Sequence, residues 1–339
     1  MSNRVLLAGY YGFDNLGDEL ILQVLLQQLS DSQVTVLSHD PAKTQERYGV
    51  RCLQRMNPFD LVEAFSSADV FVFGGGGLFQ DATSWQSVLY YWGLTRFARY
   101  FEVPVVFFSQ GIGPLRLGLS RLLTRQALQD AALITVRDDT SAHWVTQLTG
   151  FTPERTADPV WLYQLPNADP INGSTWRVGL SLRAWPSLTP SAIGQLAAFF
   201  QQLTTKSSRP VTFLLLPFQP ELDREPLTLF AQAVQGFATC EWANDIPVQI
   251  QQCQAVFGMR FHAVLLSILA GVPVLGLSYD PKVQSLLSAL GLAGVPVDQL
   301  DRLSIEDIQA YFSSYQQPDI HPYQDQAFKT VQRLRRMFN

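Results

Sequence analysis

A chain of 339 residues with 47% hydrophobic content is long enough for two ordinary domains with full cores, which excludes a disordered or low-complexity protein. A formal net charge of -5 offers no basic face for a phosphate backbone, so nucleic acid is excluded as a partner. Only 16% of residues are charged, below the usual figure of roughly a quarter, and the resulting neutral surface is compatible with self-association.

The opening apolar run stops at Gly9 and leads into a glycine-containing turn, too soon for a signal peptide. The most apolar later stretch, residues 263–277, is broken by Gly271 and Pro273 and falls short of the roughly 18 to 20 apolar residues a membrane span requires. Cys52, Cys240 and Cys253 are far apart and lack metal-ligand spacing, which predicts reduced thiols in a soluble cytoplasmic protein.

In chain order, short runs rich in Val, Leu and Phe alternate with longer helical patterns, the signature of βαβ units and buried parallel sheets. Strands are expected at RVLLAG (4–9), QVTVLS (33–38), from Asp69, from Pro104 and from Leu133. The polar segment QLPNADPINGST (164–175) reads as a linker, and the pattern then restarts with strands at 176–183, 210–217, from Ala255 and from Pro273. The expected architecture is α/β, with two doubly wound, Rossmann-like domains over 1–165 and 175–325 facing each other across a ligand cleft. A final helix over 326–339 places Ala327, Val331, Leu334 and Phe338 on one stripe, with Lys329, Arg333, Arg335 and Arg336 around it. It is expected to pack back on the N-terminal domain, a membrane-surface helix being the other reading.

Strands of a parallel sheet all point one way, so the loops after them share one edge, where ligand sites form. Four first-half loops carry the glycines and polar residues: GYYGFDNLGDE (9–19), GGGGLFQD (74–81), SQGIGPL (109–115) and VRDDTS (136–141). Glycines allow close backbone approach and the following helix N-terminus favours an anion, so both Gly-rich loops are candidate cradles, with a tight strand-to-helix turn as the plain alternative. Neither has dinucleotide or P-loop spacing. In DNLGDE, Asp14, Asn15, Asp18 and Glu19 exceed what helix capping requires, leaving Asp14 or Asn15 to face the cleft. Arg137, at a strand tip, is read as ligand-facing rather than as a surface ion pair.

The stretch GMRFHAVLLSILAGVPVLGLSYDPK (258–282) reads as one βαβ unit, so Arg260 and His262 after its first strand and Lys282 after its second share a rim. An arginine fork, a helix N-terminus and a lysine suit a small phosphate or carboxylate. His262 is then an anion contact or a proton donor, and Arg183 is a further candidate at that edge. His39, His143 and His321 have no partners at metal-ligand spacing, so no metal site is expected.

In order and across most of the chain, GYYGFDNLGDE, FGGGGLFQD, SQGIGPL, VRDDTS, VGLSLRAW and the 258–282 stretch resemble the polysaccharide pyruvyl transferase family of the CsaB type. The resemblance implies a GT-B-like fold and transfer of pyruvate from phosphoenolpyruvate to a sugar of a cell-envelope polysaccharide as a ketal. It implies phosphoenolpyruvate as co-substrate and no cofactor. The acceptor is a saccharide that is free, nucleotide-linked or lipid-linked, which leaves open a peripheral position at the inner face of the membrane. On this reading Arg260, Lys282, Arg137 and Arg183 bind the donor. His262 is the acid or phosphate-stabilising group, and Asp14 the base or sugar-orienting group. Asn15, Asp18, Gly75, Gly76, Gln80 and Asp81 form the acceptor side or its loops. Two rivals stand beside it: a glycosyltransferase of the same fold using a nucleotide-sugar donor, and a glycan-binding protein without activity.

Overall fold

A computed structural model describes residues 3–82, 84–169, 175–207 and 209–337. The chain divides into two compact units, Met1–Tyr163 with His321–Asn339 and Gln164–Ile320. Residues 170–174 of the expected linker, and Phe338 of the final helix, lie outside the described residues.

The first unit runs β1 (Arg4–Ala8), α1 (Leu16–Gln28), β2 (Gln33–Ser38), α2 (Pro41–Tyr48), β3 (Arg51–Gln54), α3 (Pro58–Ser67), β4 (Val70–Phe73) and β5 (Gly76–Phe79). It continues through α4 (Trp85–Tyr100), β6 (Val105–Ile112), α5 (Gly118–Gln129), β7 (Ala131–Val136), α6 (Asp139–Thr149) and β8 (Glu154–Arg155). The sheet order is β3-β2-β1-β4-β6-β7-β8, with β5 pairing β6, and every pairing is parallel. Order reverses at β1 and β4, the topological switch point of a doubly wound sheet. Strands buried on both faces need continuous apolar sequence, and VFVF of β4 is buried at all four positions. Phe71, Phe73, Phe79 and Phe107 meet there, edge-on or tilted, in one aromatic core.

The second unit runs β9 (Trp176–Ser181), α7 (Pro190–Lys206), β10 (Val211–Leu215), α8 (Pro220–Ala233), β11 (Thr239–Trp242), α9 (Ile246–Gln249) and β12 (Ala255–Gly258). It ends with α10 (Phe261–Leu269), β13 (Val274–Ser278), α11 (Pro281–Ala289), β14 (Gly294–Pro296) and α12 (Ile305–Ser313). Its order, β11-β10-β9-β12-β13-β14, is again parallel throughout. Phe200, Phe213, Phe230 and Phe257 form its core.

The chain then returns to the first unit as α13 (His321–Arg336), which buries Ala327, Val331 and Leu334. Thr330 hydrogen-bonds Thr156, Arg333 pairs with Glu154, and the Arg335 guanidinium donates to the Gln28 carbonyl at the end of α1. Among the described residues no helix is long and apolar enough to cross a membrane.

Candidate functional site

In the second unit the register sets Ser181 opposite Gly258 and Gly258 opposite Gly276. Arg183, Arg260 and Tyr279, two or three residues beyond those positions, therefore emerge side by side along one edge of the sheet. Arg260 is the residue before α10 and is 7% exposed. Its Nε donates to both carboxylate oxygens of Asp223 at 3.1 and 3.2 Å, and its Nη2 donates to Asp223 and to Gln219 Oε1. Asp223 lies in the first turn of α8, fully buried, and also accepts the Gln219 N–H at 2.9 Å. Burial pushes the Asp223 carboxyl up, against the pull of the Arg260 guanidinium.

The α10 N-terminus carries no side-chain cap, so its first N–H groups and partial positive charge lie beside Arg260. His262 sits in that first turn, partly exposed, with its ring edge-on to Phe261 at 5.1 Å. At the next strand end, Asp280 caps α11 by accepting the Lys282 N–H at 2.9 Å, and Lys282 Nζ is 3.6 Å from the same carboxylate. Arg183 Nη1 donates to the Tyr279 hydroxyl at 3.2 Å, and its guanidinium lies over the rings of Trp185 and Tyr279 at 5.3 and 5.8 Å. Three cations and a helix N-terminus thus share this edge, Arg260 and Lys282 each beside a carboxylate and Arg183 beside the Tyr279 hydroxyl. An anion arriving there meets preset donors.

Sequence reasoning missed Asp223, Gln219 and Trp185. The signal for the first two was the loop after β10, PFQPELD, which follows a strand end as the other polar loops do.

In the first unit the loop after β1 stacks Tyr10 on Phe13 and Phe13 on His39, with centroids 4.1 and 4.2 Å apart. Asp14 has a φ of 55° and its carboxylate pairs at the surface with Lys43 Nζ at 2.6 Å. Asn15 caps α1 through Gly17 N–H at 3.3 Å and donates to Asp18 at 2.5 Å. Glu19 accepts from Gly12 N–H and the Tyr48 hydroxyl. Of the four polar residues, three serve the loop itself.

Gly75 and Gly76 hold φ values of 95° and 78°, and a Cβ on Gly76 would stand 2.5 Å from Asp18 Oδ1. Glycine there is a packing requirement of the buried carboxylate. Gln80 Oε1 accepts the Ala82 N–H, and the Asp81 carboxylate accepts N–H groups of Arg116 and Leu117 at 2.8 to 2.9 Å. Burial works to raise the Asp81 carboxyl, but those two N–H groups hold it below its ordinary value.

Arg137 is not open at its strand tip. Its side chain is 5% exposed, bonded to Asp158 at 3.1 Å and to Asp138 at 3.3 Å, and a Cβ on Gly111 would meet its guanidinium at 2.8 Å. Burial opposes its charge, yet the two carboxylates outweigh that and raise its pKa. Arg183, Arg260 and Lys282 belong to the second unit and Arg137 to the first. Among the described residues no cluster of three or more His, Cys, Asp or Glu could hold a metal.

The family model for polysaccharide pyruvyl transferase matches residues 15–230 and 243–281, well over half of the chain. The chain belongs to the polysaccharide pyruvyl transferase family. The matched span includes every candidate residue named from the sequence except Asp14 and Lys282. No individually curated protein sequence matches this family member significantly.

Solved structures resemble it along the whole chain. Anabaena HepE in complex with UDP-glucose aligns with a TM-score of 0.63 at 14% identity, covering 99% of each chain. The UDP-GlcNAc 2-epimerase of Methanocaldococcus jannaschii gives 0.64 at 9% identity, again over 99% of each chain. The glycosyltransferase SnogD of Streptomyces nogalater gives 0.53 at 15%, covering 99% of this chain and 96% of that one. At these identities the likeness is one of fold, and that fold is GT-B-like.

Proposed function

We propose that this pyruvyl transferase family member moves pyruvate from phosphoenolpyruvate to a hexose or N-acetylhexosamine of a cell-envelope polysaccharide or its lipid-linked precursor, in the cytoplasm. The observation that carries the donor assignment is the Arg260 fork, fixed by Asp223 on its Nε and Nη2 side, beside the uncapped α10 N-terminus. Phosphoenolpyruvate is small and carries a phosphate and a carboxylate, which Arg260, Arg183 and Lys282 could hold between them. Arg137, buried and paired through Nε with Asp138 and through Nη1 with Asp158, is given no donor contact.

In the proposed reaction a proton adds to the methylene carbon of the enol, and the adjacent carbon becomes electrophilic. One sugar hydroxyl bonds to that carbon and loses its proton. The carbon–oxygen bond to phosphate then breaks, phosphate leaving with the electron pair. A second hydroxyl of the same sugar bonds to the vacated position, loses its proton and closes the ketal. His262 is the proposed acid or phosphate-stabilising group. For the acceptor we assign Asp14, with Asn15 beside it, as base or sugar-orienting group, on an edge whose geometry Asp18, Gly75, Gly76, Gln80 and Asp81 maintain.

A nucleotide-sugar glycosyltransferase is the rival reading, since HepE was solved with UDP-glucose. Products separate the two: phosphate release that depends on both phosphoenolpyruvate and a saccharide supports pyruvyl transfer, and nucleotide release from a nucleotide sugar contradicts it.

A further inference from the structure

Two neighbouring helices of the first unit expose apolar side chains that no part of the proposed reaction uses. Trp85 and Leu89 on α4, with Leu117, Leu119 and Leu122 at the start of α5, are between 40% and 52% exposed. The helices pack against each other and run parallel, because Trp92 Nε1 donates to Gln126 Oε1 while Arg96, one turn on, pairs with Asp130. Counting back along both helices brings Leu89 level with Leu122 and Trp85 level with Leu119. The five side chains therefore gather at the N-terminal ends of α4 and α5.

The two helices themselves carry charge of one sign, with the Asp81 carboxylate as an acidic neighbour at their N-terminal edge. Residues 82–101 and 112–129 contain no Asp or Glu, in a chain whose net charge is -5, and α5 with its lead-in carries Arg116, Arg121 and Arg125. All three arginines are exposed; Arg121 Nε donates to the Leu115 carbonyl at 2.8 Å with its guanidinium 5.6 Å over the Trp144 ring, and the Arg116 charge acts on Asp81. An exposed tryptophan and leucines beside exposed arginines match an anionic bilayer surface, where the apolar groups enter the headgroup boundary and the guanidinium groups meet lipid phosphates.

The position of this surface is set by the same edge that carries the glycine-rich loop. Helices α4 and α5 begin after the ends of β5 and β6, and Asp81, last residue of GGGGLFQD, accepts the N–H groups of Arg116 and Leu117.

We infer that the N-terminal ends of α4 and α5 form a docking surface for an anionic membrane. Seated there, the protein meets a lipid-borne saccharide at the loop edge of its first unit. That consequence rests on the proposed function; the surface itself does not.

Co-sedimentation of the full-length protein with vesicles of phosphatidylglycerol and phosphatidylcholine tests it without donor or acceptor. The wild type should sediment with the anionic vesicles, weakly with pure phosphatidylcholine, and less as salt rises. Leu119→Ser/Leu122→Ser and, independently, Arg125→Glu should each lower partitioning about tenfold or more, with thermal unfolding and phosphate release on a soluble acceptor unchanged. A wild type that stays in the supernatant, or variants that sediment like it, would overturn the inference. So would a wild-type oligomer that Leu119→Ser/Leu122→Ser splits into protomers, which would mark the face as a contact between copies. Failure of pyruvyl transfer with vesicle binding intact would count against the proposed function alone.

Discussion

The Asp223 carboxylate holds the Arg260 guanidinium from a position with no solvent exposure, through Nε at 3.1 and 3.2 Å and through Nη2. An arginine gripped on one side of its fork is aimed by that grip. Removing the carboxylate leaves a nearly buried charge unpaired, so Asp223→Ala should cost about 3 to 5 kcal/mol in denaturant unfolding. Asp223→Asn keeps the shape and one acceptor; it should fold, and should raise KM for phosphoenolpyruvate more than it lowers kcat.

Arg137 serves as a contrast, because its Nε and Nη1 are already bonded to carboxylates of its own unit. Arg137→Ala strands Asp158, itself 2% exposed, and should destabilise the first unit by roughly 3 to 5 kcal/mol. In a folded Arg137→Lys variant the KM for phosphoenolpyruvate should stay near that of wild type. A large rise in that KM with unchanged stability would return Arg137 to the donor contacts.

Gly76 and Asp18 are coupled by space. Gly76→Ala combines a φ of 78° with a Cβ placed 2.5 Å from Asp18 Oδ1, and should cost about 1 to 3 kcal/mol in thermal or denaturant unfolding. Combining it with Asp18→Ala should recover the steric part and leave the backbone part, a coupling that a double-mutant cycle reads directly.

Asp81 supplies the pH-dependent prediction. Its folded-state pKa lies below the ordinary 3.8, so the stability it contributes is present above that value and is lost as pH falls through the depressed folded value. Asp81→Asn should be less stable than wild type by about 1 kcal/mol near neutral pH, and the difference should shrink at pH values below 3.8. Parallel unfolding curves across that range check it.

The centre of each sheet was legible in the sequence, because strands buried on both faces must be written as continuous apolar runs. The expected strand at 33–38 coincides with β2, and those at 4–9, 176–183 and 210–217 contain β1, β9 and β10. The strands that escaped were β3, β5, β8, β11 and β14, of two to four residues each; RCLQ and TCEW are partly exposed, and GGLF opens with two glycines. The candidate edge was legible for a related reason, since polar and glycine residues after buried strands have no place in a core. What orients those residues was not: Asp223 lies 37 positions from Arg260, and only the order β10-β9-β12 brings the two loops together. Asp14 shows the opposite limit. Its excess over capping needs was readable, but its pairing with Lys43, 29 positions on, was not.

Pyruvyl transfer itself is read by mass spectrometry of candidate saccharide acceptors after incubation with the protein and phosphoenolpyruvate. The expected product is an acceptor heavier by one ketal-linked pyruvate, with phosphate released in equal amount and both signals lost in Arg260→Ala and strongly reduced in His262→Ala. Acceptors left unchanged in mass, or a pyruvylated product formed at normal rate by His262→Ala, would overturn that reading.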